Sequence, residues 1–385
     1  MTTTATNPGP ADAFRSELRA WLAVNVTPEI RNAAKGMAEP EDVLALRDWN
    51  AKLADAGWAA PAWPSEYGGR DADVDEQVAY LELMHEFGAP GPVNMIGVSN
   101  IAPAIMAFGT EEQKAQFIGP MLRGDVIWSQ GMSEPEAGSD LASLRCTAVA
   151  DGDHFVINGQ KTWNSMGHYA DFCQLYVRTD PTAPKHKGIS CLLVDLRTPG
   201  IDARPITTIS GGHDFAELFI TDARVPRRAL LGGLGEGWMV AMTTLSFERA
   251  GVARLHLMVN QKLDDLRAHP IARARLAQDP IARQEFTKLH SEVAAMRWFV
   301  ERSFANPGQL GGAGGSLTKL TWSITEQRIA SLAVHLLGVD GLSGRWADNL
   351  LNVRSLTIAG GTTEVNRNIV GEHILGLPRE PRPKT

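Results

Sequence analysis

The stretch HFVINGQKTWNS, residues 154–165, decides the fold, because it interrupts a helical sequence with a run of strand-forming residues. Three further runs of the same texture follow it: DFCQLYVRT (171–179), ISCLLVDL (189–196) and AELFITDARVP (216–226). Each is rich in β-branched or aromatic residues. The clusters DGD (151–153), PTAPKHKG (181–188) and RTPG (197–200) separate them, which predicts short strands joined by turns from about Val126 onward.

On both sides of this region the apolar period is helical. ADAFRSELRAWLAVNV (11–26) and EDVLALRDWNAKLADAGW (41–58) carry apolar residues three or four apart, and VDEQVAYLELMHEFG (74–88) follows. GTEEQKAQFIGPMLRGD (109–125) predicts a helix with Thr110 as its N-cap. GWAAPAWPSEYGG (57–69) reads as a Pro/Gly/aromatic loop. After LLGGLGEGW (230–238) the helical period returns in 238–268, 280–304, 316–338 and 344–358. GGLGEG matches neither GxGxxG nor a P-loop and reads as a hinge, and 306–315 reads as a loop between bundle helices. The expected class is α+β: an N-terminal helical domain over 1–126, a middle antiparallel β-barrel or sandwich over 127–232, and a C-terminal four-helix bundle over 233–385.

Composition excludes several functions. The 385 residues are 44% hydrophobic, enough for a large core, and the net charge of −7 comes without a basic stripe, so no nucleic-acid partner is expected. No apolar run is long enough to span a bilayer, and the N-terminus has neither a secretory h-region nor an arginine-rich transit pattern, so a soluble cytoplasmic protein is expected. Cys146, Cys173 and Cys191 form no CxxC pair and are expected as reduced thiols.

Four segments in order, GWAAPAWPSEYGG, WSQGMSEPEAGSDLASL (128–144), INGQKTWNS (157–165) and IAGGTTEVNRNIVGEHILGLPRE (358–380), resemble the acyl-CoA dehydrogenase family, with coverage from about residue 12 to 380. The resemblance implies a helix–β–helix fold, one FAD per subunit, an acyl-CoA thioester substrate and an electron-transfer flavoprotein as electron acceptor. It also implies a homotetramer or an α2β2 heterotetramer. By the same resemblance Gln130, Met132 and Ser133 line the flavin ring, Ser139 contacts the CoA arm, and Trp163 and Ser165 pack on and hydrogen-bond to the flavin. Arg273 and Gln284, eleven residues apart, match positions that meet the cofactor across a subunit interface; a solvated helical arginine is the competing reading. Thr362 and Glu364 match positions near that interface. Glu136 stands where the family commonly has glycine, a carboxylate that can deter an anionic ligand.

The implied reaction removes an α-proton while a hydride leaves the β-carbon for the flavin, giving a trans-2-enoyl-CoA. A weakly acidic proton of this kind needs a carboxylate in a dry pocket and hydrogen bonds to the thioester oxygen. Many family members carry the base just before the GT of the terminal loop, where this chain has Gly360. Another branch carries it before an arginine on the first bundle helix, and LSFERAGVARL (245–255) places Glu248 before Arg249 there. Glu248 is the expected base, Arg249 a support of the pocket, and the Gly360 N–H a donor to the thioester oxygen. A solvated helical charge is the plain alternative for Glu248. Two other functions compete: a non-catalytic or half-site subunit of a heterotetrameric dehydrogenase, and a same-fold flavin oxidase or monooxygenase.

Overall fold

The computed structural model describes residues 10–36, 40–250, 255–305 and 313–379. They fall into two compact units, one of residues up to Thr208 with Gly212–Thr244, the other of Ile209–Gly211 with the residues from Leu245 onward.

The first unit opens with α1 (Pro10–Asn25), α2 (Pro28–Gly36), α3 (Pro40–Asp55), α4 (Val74–Glu86), α5 (Ala102–Phe108) and α6 (Glu111–Arg123). Phe14, Leu18 and Leu22 fall on one face of α1 and are buried in a core shared with Trp49, Leu53, Leu83 and Phe117. Two helices start on capping boxes. In α4 Asp73 accepts from the Glu76 N–H, and in α6 Thr110 accepts from the Gln113 N–H, each with the reciprocal bond present. Gln113 is buried and donates onward to the carbonyls of Arg228 and Leu230, so the same residue caps a helix and ties it to the end of the sheet.

The sheet has eight strands: β1 (Trp128–Gly131), β2 (Thr147–Asp151), β3 (His154–Ser165), β4 (Phe172–Arg178), β5 (Ile189–Asp195), β6 (Ile201–Ile206), β7 (Phe215–Pro226) and β8 (Leu230–Leu231). Their order is β6-β7-β3-β2-β4-β5-β8, with β1 added on β4. The expected antiparallel pairing holds for β2/β3, β3/β7, β4/β5, β5/β8 and β6/β7. Two pairings depart from it: β1/β4 and β2/β4 are parallel, so the sheet is mixed. The reason is the long excursion between β1 and β2, which carries the chain through residues 132–146 before it pairs again. Phe155, Ile157, Leu175, Val177, Leu218 and Ile220 pack the sheet's own core. All three cysteines are free and buried there or beneath it; burial pushes Cys146 up to about 11 and Cys173 up to about 12.

Helix α7 (Gly237–Ala250) leaves the first unit and enters the second, which continues with α8 (Leu255–Ala268), α9 (Pro270–Gln278), α10 (Pro280–Ala305), α11 (Gly314–Leu337), α12 (Gly344–Asn352) and α13 (Thr363–Ile369). The continuous helical period expected over 238–268 is therefore carried by α7 and α8, with 251–254 outside the described residues, as is most of the 306–315 loop. Val259, Leu263 and Leu266 of α8 meet Leu289 and Val293 of α10 and Ile329, Ala333 and Leu336 of α11. Polar ties cross the same helices: Arg328 bonds Glu285 and Glu292 at 2.6 Å, and Lys262 bonds Glu326 at 2.8 Å and Asn349 at 2.8 Å. The architecture is a helical N-terminal domain, a central mixed sheet and a helical C-terminal bundle. The exact boundaries at 126/127 and 232/233 stand as our proposal.

Candidate functional site

In the first unit the candidate site is built on β1, the turn after it and the end of β3. Gln130 lies on β1 opposite Gln174, and its carbonyl accepts from Asn164 Nδ2 at 2.7 Å. The next carbonyls are also held from β3. Met132 O accepts from Lys161 Nζ at 3.0 Å, and Ser133 O accepts from the Thr162 N–H at 2.9 Å. Glu134 is buried and accepts from Lys161 Nζ, Cys146 N and Arg145 N at 2.8, 2.8 and 2.6 Å. With its acceptors engaged behind it, the 130–133 segment keeps free donors. Gln130 Nε2 is buried without a partner, and the Ser133 N–H and hydroxyl have none among the described residues. An orphaned buried donor signals a missing acceptor.

Trp163 sits where the β3/β7 register slips between Lys161 and Asn164. Its φ is +61°, in the left-handed region, and the residue is 58% exposed with the Phe215 ring edge-on at 5.9 Å. A tryptophan in that conformation costs about 1–2 kcal/mol, and it presents to solvent the kind of ring that ordinarily packs inside. Ser165 ends β3, half-buried beside Phe215. Ser139 is exposed in the following loop, where Asp140 is held below the usual carboxylate range by the Ser143 hydroxyl and by Lys185. Glu136 is exposed and pairs with Arg145 at 3.0 Å, which offsets the repulsion expected between that carboxylate and an anionic ligand.

In the second unit Gly360 and Gly361 have φ of +64° and +86°, a corner that only glycine makes without strain. The Gly361 carbonyl accepts from Lys319 Nζ and from Asn366 Nδ2, both buried. Thr362 caps α13, its hydroxyl accepting from the Val365 N–H at 3.2 Å, and Glu364 is exposed in the first turn. The Gly360 N–H has no acceptor among the described residues. Arg273 on α9 and Gln284 on α10 are exposed and make no side-chain hydrogen bond among the described residues. Glu248 and Arg249 fall on α7, but their side chains lie outside the described residues.

The structure thus gathers Gln130, Met132, Ser133, Trp163 and Ser165 where β1 and the turn after it meet the end of β3, and Gly360, Thr362 and Glu364 on one corner. Sequence reasoning passed over Lys161, Glu134, Asn164, Lys319 and Asn366, all of them buried polar groups. Lys161 and Asn164 flank Trp163 inside the motif already singled out, and polar residues inside a strand of apolar period were the available signal. The exposed indole, the orphaned Gln130 amide and the free Ser133 donors suit a planar, hydrogen-bonding group such as a flavin ring. No cluster of potential metal ligands occurs among the described residues, and no described helix is long and apolar enough to cross a membrane.

Family models match along the chain: the acyl-CoA dehydrogenase N-terminal domain over residues 10–125, the middle domain over 129–223 and the C-terminal domain over 235–375. The chain belongs to the acyl-CoA dehydrogenase family and is an FAD-dependent oxidoreductase of that type. It is 37% identical over 383 residues to the acyl-CoA dehydrogenase IpdE1 of Mycobacterium tuberculosis, covering 96% of this chain and 99% of that one. Among solved structures it is similar to the Tcur3481-Tcur3483 steroid ACAD, with a TM-score of 0.85, 30% identity, and 98% and 100% of the two chains covered. It is also similar to the ChsE4-ChsE5 complex from M. tuberculosis, with a TM-score of 0.81, 31% identity, and 99% and 100% covered.

Proposed function

We propose that this chain is one subunit of a two-component, heterotetrameric acyl-CoA dehydrogenase, contributing part of each flavin site and leaving the rest to a related partner chain. The observation that carries this reading is the close likeness to two assemblies each named for two different chains. Exposed Arg273 and Gln284, the residues matched to a cross-subunit cofactor contact, support it, because neither side chain makes a hydrogen bond or ion pair among the described residues. The reaction is α,β-dehydrogenation of an acyl-CoA thioester, with electrons passed to an electron-transfer flavoprotein.

FAD supplies the hydride acceptor when bound. Gln130 and Ser133 offer it hydrogen bonds, Trp163 offers a stacking face, and Thr362 and Glu364 lie on the corner expected near a subunit interface. Gly360 contributes its N–H to the thioester oxygen, and Glu248 takes the α-proton. Likeness to a steroid ACAD makes steroid-derived CoA thioesters the first substrates to assay.

The test is purification of the chain alone and after co-expression with a related dehydrogenase chain. The expected result is full FAD content and substrate-dependent flavin bleaching only in the mixed tetramer. A yellow homotetramer that bleaches with acyl-CoA on its own overturns the two-component reading. In the mixed tetramer, Glu248→Gln should keep its flavin and lose about 10²–10⁴ of turnover, the scale of a positioned base.

A further inference from the structure

The strongest unexplained feature of the first unit is a buried ion pair behind the flavin-facing turn. Lys161 is fully buried on β3, and its ammonium lies 2.8 Å from Glu134 Oε1 and 3.0 Å from the Met132 carbonyl. A buried pair of this kind is a poor source of stability, since desolvation offsets its attraction. Its placement is more informative than its strength.

The pair is oriented. Its positive end meets the Met132 carbonyl, while its negative end turns away, where the Arg145 and Cys146 amides hold Glu134. The Met132–Ser133 peptide is trans, so its C=O and N–H point in opposite directions. A cation on the carbonyl therefore polarises the same peptide's N–H, and hydrogen bonds chained in this way strengthen one another in a low-dielectric site. That N–H belongs to Ser133 and has no acceptor among the described residues. The Ser133 carbonyl, which belongs to the next peptide, accepts from the Thr162 N–H, so the turn is tied to β3 on both sides of the Ser133 N–H.

We propose that the Lys161–Glu134 pair sets the reduction potential of the bound flavin, with Lys161 as a positioning residue that acts through the Met132–Ser133 peptide. This rests on the reading that Ser133 faces the flavin. Reduction adds negative charge to the ring, and a polarised donor backed by a buried cation favours that charged form. The potential of the bound flavin is therefore held higher than an uncharged turn of the same shape would hold it.

The experiment uses the FAD-loaded protein in whatever assembly binds FAD and measures the potential by dye equilibration, with FAD content and thermal stability read in parallel. The double variant Lys161→Met/Glu134→Gln, which removes both charges, should keep FAD and lower the potential. Glu134→Gln alone, which leaves the cation unbalanced, should raise it, and Lys161→Arg should stay near the parent. An unchanged potential in the FAD-loaded double variant overturns the proposal. So does loss of FAD from that variant, which makes the pair an anchor, and so do shifts of the same sign in the two Glu134→Gln proteins. If FAD titration of the parent assembly leaves Ser133→Ala and Trp163→Ala unaffected, the reading of this face as the flavin site fails instead, a result distinguishable from the first.

Discussion

The ammonium of Lys319, buried in α11, hydrogen-bonds the carbonyl oxygen of Gly361 and so braces a corner that lies 42 residues further along the chain. Asn366 Nδ2 meets the same oxygen at 2.8 Å and the Thr362 carbonyl at 3.0 Å. The corner is thereby fixed with the Gly361 carbonyl held by α11 and the Gly360 N–H without an acceptor among the described residues. Lys319→Met should lower the stability of the C-terminal unit by about 1.5–3 kcal/mol, the range for a hydrogen bond from a charged group, as read by denaturant unfolding. Lys319→Arg should recover part of the loss.

Backbone conformation makes a separate demand at the same place. A Cβ on Gly361 would combine a φ of +86° with an approach of 3.0 Å to Asn366 Nδ2. Gly361→Ala should therefore cost about 1–2 kcal/mol, as read by denaturant unfolding. An unchanged midpoint would mean that the corner and its Asn366 contact yield freely.

The left-handed, exposed Trp163 should matter to the cofactor more than to the fold. Trp163→Ala should weaken FAD binding by about three- to ten-fold, in keeping with the ~0.5–1.5 kcal/mol of an aromatic pair. Fluorescence titration of the apoprotein measures this directly. Unchanged affinity would remove Trp163 from the cofactor wall.

Acid should find a weak point at His168. Both of its ring nitrogens are buried without a partner among the described residues, and its ring lies 4.0 Å from that of Tyr169. Burial, first, and the neighbouring His213 hold its pKa below the ordinary histidine value of 6.5, against the opposing pull of Asp214. The unfolded chain thus binds the proton more readily than the folded one. The folded state keeps its full stability above pH 6.5 and loses it as pH falls from there through the depressed folded value. His168→Phe should flatten that part of the stability–pH curve, measured by thermal unfolding between pH 7 and about pH 4.5. A parallel curve in the variant would assign the acid sensitivity to other groups.

Much of the fold was legible because periodicity is a local property. The strand runs at 154–165, 171–179, 189–196 and 216–226 correspond to β3, β4, β5 and β7, and the Thr110 cap is present with its reciprocal partner. Pairing was less legible. Nothing local in WSQG states that β1 lies parallel to β4, since that depends on how residues 132–146 route the chain.

The site divides in the same way. Sequence by itself singled out the segments proposed to carry the chemistry: the 130–133 turn, the tryptophan of KTWNS and the glycine corner at 360–361. Only the tertiary structure decided what stands behind them. Lys161 and Glu134 are 27 residues apart, and Lys319 and Gly361 are 42 apart. A buried charge declares its partner through three-dimensional proximity, because a cation taken out of water must find an acceptor wherever the packed chain brings one.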